Sequence, residues 1–131
     1  MEKDGVTQKA QIDCNLQDIT LTFHAEEGAK TYTGVDFFEC FGMLRADYPN
    51  IKFLCKGAKL NVYPSTMSSQ MSAGLVAYEV KMGQRTGTEN IVRIFDYEDT
   101  DITNDINKQR EFYYEWYESV TGISRSSYIG K

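Results

Sequence analysis

VDFFECFGMLRADYPN, residues 35–50, is where the hydrophobic period of this chain changes. Phe37, Phe41, Leu44 and Tyr48 fall at helical spacing, with Phe38 beside them, so the stretch carries one apolar helical stripe. Pro49-Asn50 ends it, because the residue before a proline avoids the helical region. Immediately upstream the period is two. In DITLTF (18–23), Ile19, Leu21 and Phe23 alternate with Asp18, Thr20 and Thr22, the pattern of a half-buried strand. HAEEGAKTYTG (24–34) reads as a polar turn region between the two.

Downstream, IKFLCKG (51–57) and AKLNVY (58–63) read as strands with a turn at Lys56-Gly57. LVAYEVKMG (75–83) reads as a further strand with Val76, Tyr78, Val80 and Met82 on one face, and NIVRIFDY (90–97) as another. QRTGTE (84–89) is a loop. The second long helix covers 103–121, with Thr103 as its N-cap and Gly122 as its stop. Ile106, Gln109, Tyr113, Trp116, Tyr117 and Val120 share one face of it; Glu111, Glu115 and Glu118 share the other. Between the strands, VYPSTMSSQMSAG (62–74) reads as a short crossover helix. Pro64 stops the strand, Ser65 or Thr66 caps the helix, Met67 and Met71 point inward, and Ala73-Gly74 lets the chain out. Ser65, Ser68, Ser69 and Ser72 then form an exposed helical face. These elements predict an α+β fold: a mixed or antiparallel sheet of about five strands packed by two main helices plus a short crossover helix. The length, 131 residues, suits a single domain, with the polar segments 1–17 and 122–131 expected to be mobile.

Composition narrows the function. A net charge of −5 and a pI near 4.9 argue against a nucleic-acid partner and favour a basic protein. No run of apolar residues approaches a membrane span, which predicts no membrane association and a cytoplasmic location. Cys14, Cys40 and Cys55 are odd in number and widely spaced, so they read as buried reduced thiols. The single histidine, His24, has no histidine or cysteine near it in sequence and reads as an exposed strand-edge residue. The acidic run from Asp96 fails as a calcium loop, because its sixth residue is Asp101 and its twelfth is Asn107 where glycine and glutamate are required. The serine-rich stretch contains neither a nucleophile elbow nor a phosphate-binding loop. No catalytic residue, metal or cofactor is expected.

Two surfaces stand out as candidates for binding. One combines the acidic connector (Asp96, Glu98, Asp99, Asp101) with Glu111, Tyr114, Glu115 and Glu118 of the second helix. Charge steers a basic partner, and tyrosine is a frequent interface anchor. The other is the serine face of the crossover helix, where a small ligand or an exposed partner contact would be read.

FLCKGAKLNVYPSTMSSQMSAGLVAYEV, together with IVRIFDYE and QREFYYEWYES, resembles a group of small acidic bacterial proteins. The matching positions are Cys55-Lys56-Gly57, Tyr63-Pro64-Ser65, Met67-Ser68, Met71, Gly74, Ala77-Tyr78, Ile94-Phe95-Asp96, Phe112 and Trp116. The group looks like the cytosolic immunity proteins of contact-dependent growth inhibition and related polymorphic toxin systems. The resemblance implies a cognate toxin domain as partner, often a nuclease, and no shared catalytic residues. Two other readings stand beside it: a small ligand-binding or enzymatic domain using 64–74, and an interaction subunit outside toxin systems, including a homodimer through the 103–121 helix.

Overall fold

The computed structural model describes residues 1–123. Its architecture is α+β, with three helices and nine short strands. The strands form three antiparallel sheets of three strands each, not one five-stranded sheet.

The first sheet is built from the N-terminus. β1 (Glu2–Lys3) and β2 (Val6–Thr7) form a hairpin, and β1 also pairs with β6 (Ile51–Lys52). Asp4 and Gly5 carry φ of 54° and 76° at its turn, the positive angles that a two-residue hairpin requires and that Asp-Gly adopts readily. β3 (Gln11–Asn15) joins the second sheet, so most of the polar lead-in is paired backbone.

That second sheet is a meander of β3, β4 (Thr20–Ala25) and β5 (Gly28–Thr33). β4 buries Leu21 and Phe23 completely, as its alternation predicts. The polar region 24–34 is mostly the end of β4 and all of β5, not a turn. β5 is legible only through its backbone, because Tyr32 is its one buried side chain. The outer side of the pair is held by polar contacts such as Thr22 Oγ1 to Thr31 Oγ1 at 2.8 Å.

α1 (Phe37–Asp47) follows. Asp36 caps it by accepting from the Glu39 N–H, and it buries Phe37, Phe38, Cys40, Phe41 and Leu44. The helix also buries Arg45 completely. After Pro49 the chain does not make two full strands. β6 and β7 (Val62–Tyr63) are two residues each, separated by a 3-10 turn at Lys56–Ala58. Gly57 explains why. A Cβ there would lie 2.9 Å from the Ile94 Cβ and 3.0 Å from the Ile94 carbonyl oxygen, and the Gly57 N–H donates to that same oxygen at 2.7 Å. The segment is pressed against residues 94–96 and cannot fold back as a hairpin.

The third sheet pairs β7 with β8 (Val76–Glu79) and β8 with β9 (Ile91–Arg93). The expected inward face of β8 is corrected. Val80 is buried as expected, but Ala77 is fully buried in place of its neighbours, Val76 and Tyr78 are half-buried, and Met82 is exposed. Regular strand stops at Glu79, and the Val80 N–H turns to the Asn61 carbonyl, which resets the alternation. β9 is likewise shorter than its apolar run.

α2 (Thr66–Ser72) is the crossover helix and α3 (Ile106–Thr121) the second long one. α3 is capped by Asp105, whose carboxylate accepts from the Asn107 N–H; Thr103 sits before the cap and accepts from the Asp105 N–H. Gly122 ends it in the left-handed region, as expected. The tail expected to be mobile lies, from residue 124 on, outside the described residues. One buried cluster runs from Leu21 and Phe23 through α1 to Ile51, Val62, Ala77 and Ile94, so all three sheets share a core.

Candidate functional site

The position of α3 is set by a buried polar network. The Arg45 guanidinium donates to the Thr103 carbonyl and to Gln109 Oε1, both at 2.7 Å, and lies 4.9 Å from the Phe41 ring centre. Burial pulls Arg45 down to about 10, so it stays charged at neutral pH, held by oxygen dipoles and ring faces. Gln109 Nε2 in turn faces the carbonyls of Gly57, Lys59 and Val62 at 2.9, 2.9 and 3.3 Å. Asn104 Nδ2 reaches the carbonyls of Arg45, Tyr48 and Ile51. These three side chains tie α1, the 56–63 segment and the start of α3 into one unit. The apolar pattern alone missed Arg45, although its place four residues after Phe41 puts it on the buried stripe.

Along the line where α3 meets the 56–63 segment runs a shallow groove of about 330 Å³. Leu60 and Phe112, both half-buried, supply its apolar surface, and Asp105, Lys108, Glu111 and Glu115 its charged surface. Glu111 and Glu115 stand one helical turn apart. Asp101 adjoins the groove, because its carbonyl accepts from the Leu60 N–H at 2.9 Å. Glu115 and Lys108 are exposed, and neither side chain makes a hydrogen bond or ion pair with the described residues.

The expected acidic surface is therefore divided. Glu111 and Glu115 come together at this groove, and Asp101 reaches its edge through its backbone carbonyl. Tyr114 does not; it lines a separate hollow of about 310 Å³ beside Tyr63, Tyr113 and α2. Asp96 and Asp99 are exposed on the loop before α3, and Glu118 is exposed farther along the helix. Glu98 is half-buried and engaged in an ion cluster. Lys56 Nζ lies 2.8 Å from Glu79 and 2.9 Å from Glu98, while Lys59 Nζ lies 3.1 Å and 2.9 Å from the same carboxylates. Hydrogen bonds from the two ammonium groups, and from the Thr100 N–H, depress Glu98 to about 2. That cluster cross-links the 56–59 segment, β8 and the acidic loop, so Glu98 is a structural member and not an open docking charge.

The serine-rich helix is turned over relative to its expected orientation. Met67 and Met71 are 67 % and 80 % exposed, and the serines face inward. Ser65 caps the helix through Ser68 N–H, the Ser68 hydroxyl donates to the Ser65 carbonyl, and the Ser72 hydroxyl donates to the Ser68 carbonyl while accepting from the Val76 N–H. Ser69 donates to the buried Asp36 carboxylate at 2.5 Å. The cause is Asp36. Its second oxygen needs a donor once the first has capped α1, and a hydroxyl meets that need where a thioether cannot. Gly74, at φ 77°, lets the chain pass close to the same carboxylate. The four serines are thus engaged internally, and the outer surface of α2 carries Met67 and Met71 with Thr66 and Gln70.

The remaining reactive side chains are dispersed. His24 is exposed and contacts Asp13 at 2.7 Å across β3 and β4. Cys40 and Cys55 are buried but Cys14 is exposed, correcting the expectation that all three are buried. Desolvation pushes the Cys55 thiol up to about 11, which keeps it neutral in the apolar cleft of about 380 Å³ that it lines with Cys14, Phe41 and Phe95. Among the described residues, no group of three or more histidine, cysteine, aspartate or glutamate side chains could hold a metal ion. No described helix is long and apolar enough to cross a membrane. No family model matches the chain, and no curated protein matches its sequence.

Proposed function

We propose that this chain is a non-enzymatic bacterial immunity protein that binds a basic toxin domain, of the nuclease kind, and covers its active site or substrate path in the cytoplasm. The observation that carries the reading is the α3 groove. Among the described residues it combines Leu60 and Phe112 with the carboxylates of Asp105, Glu111 and Glu115 and the Lys108 ammonium, beside a helix fixed from behind by the Arg45–Gln109 network. A rigid, charged rim around a small apolar centre suits fast, specific capture of an oppositely charged protein. The overall charge of −5 acts in the same direction at longer range.

The test is co-expression with the toxin domain encoded beside the gene. Wild type should copurify with the toxin and restore growth to poisoned cells. Glu115→Lys should slow association and weaken rescue while leaving the melting temperature of the free protein nearly unchanged. Absence of a complex with the neighbouring toxin, together with failure to rescue, overturns the proposal.

A further inference from the structure

We propose that the groove between Leu60 and α3 selects arginine over lysine on the partner's surface. This deepens the proposed function and rests on it. The groove is too shallow to enclose a drug-sized ligand, which needs a cavity of roughly 300–1,000 Å³ that surrounds it. It does have room for one extended side chain laid along its floor. Leu60 and Phe112 line it, and Glu111 and Glu115, one helical turn apart, line it on the charged side. A side chain occupying it must rest a flat, weakly hydrated cation on an aromatic surface and present donors sideways to carboxylates. Guanidinium does both; an ammonium group holds its water and has no flat face. Asp105 and Lys108 bear on the same groove. Asp105 already accepts from the Asn107 N–H as the helix cap, so Glu115, whose side chain makes no hydrogen bond or ion pair with the described residues, is the main acceptor for the incoming group. Lys108 stands one turn before Phe112 and repels a second cation there. The site therefore takes one arginine and not a continuous basic tract.

The experiment uses the full chain, isotopically labelled, titrated by NMR at low ionic strength. The probes are two short acetylated, amidated peptides, Gly-Arg-Gly and Gly-Lys-Gly. The arginine peptide should shift the backbone signals of Leu60 and residues 111–115 and bind about two- to fivefold more tightly than the lysine peptide. Phe112→Leu should abolish that preference while lysine binding stays the same. Phe112→Tyr, which keeps the ring, should retain it and guards against a folding artefact. Glu115→Gln should weaken both peptides. Equal binding of the two peptides at these signals overturns the arginine inference and leaves the acidic docking surface standing. Failure of both peptides to bind here overturns the arginine inference, while the immunity reading stands or falls on copurification with the toxin and rescue of growth.

Discussion

Replacing Gln109 by alanine tests whether a buried polar network, more than the apolar stripe, holds α3 in place. The wild-type amide accepts one bond from the Arg45 guanidinium and faces three backbone carbonyls with two N–H groups. Only two of those three can be fully bonded at once. The loss is then one charge-assisted bond, about 2 kcal/mol, and two neutral ones of about 1 kcal/mol each. Water entering the vacated space recovers part of this, so the expected destabilisation is about 3–4 kcal/mol. That is a large share of the roughly 5–15 kcal/mol that stabilises a typical domain. In urea, with a slope of about 1.5–2 kcal/mol per molar, the midpoint should fall by about 2 M. Trp116 reports the transition. It is the single tryptophan, 7 % exposed, with its indole N–H donating to the Gln84 carbonyl at 2.7 Å. Gln109→Glu separates the two halves of the network. It keeps an acceptor for Arg45 but sets a carboxylate against three carbonyl oxygens, so it should be at least as unstable as the alanine variant. A loss below about 1 kcal/mol for Gln109→Ala, or a Gln109→Glu variant more stable than Gln109→Ala, would refute the reasoning.

Two further outcomes are expected. Gly74→Ala places a Cβ 2.7 Å from the Asp36 Cγ at a φ of 77°, combining left-handed strain with a clash against the carboxylate that anchors Ser69. It should cost about 3 kcal/mol and lower the melting temperature by about 10 °C in calorimetry. The Glu98 cluster predicts acid sensitivity with a definite sign. Its folded-state value lies below the ordinary glutamate value, so its contribution is complete above about pH 4.5 and is lost as the pH falls towards about 2. Glu98→Gln should flatten the denaturation midpoint over that window and cost about 1 kcal/mol at neutral pH; an unchanged acid profile would count against the cluster.

Hydrophobic period determined what could be read without tertiary contacts: the burial of Leu21 and Phe23 in β4, the aromatic stripe of α1 and its end at Pro49, and the long α3 closed by Gly122. In each case one face meets the core and the other meets water, so the pattern carries the information. The Asp4-Gly5 hairpin lies in the polar lead-in expected to be mobile, because its strands bury no apolar stripe, although that pair favours the two positive φ angles of the turn. Elements held by backbone pairing and polar side chains left no such trace. β5 shows one buried residue, and the 56–58 turn depends on where Ile94 lies. α2 is the sharpest case. Its sequence supports methionines inward as readily as serines inward, because seven residues with no buried side chain carry little hydrophobic preference. A carboxylate from residue 36, distant in sequence, settles the matter by needing a donor. The candidate site divides in the same way. Sequence alone places acidic residues on the loop and on one face of α3. Only the folded chain decides that Glu98 is neutralised by Lys56 and Lys59, that Tyr114 belongs to another hollow, and that Glu111 and Glu115 border an apolar groove with Leu60. Charge is a property of residues, but whether it is available to a partner depends on which neighbours the fold brings within hydrogen-bonding distance.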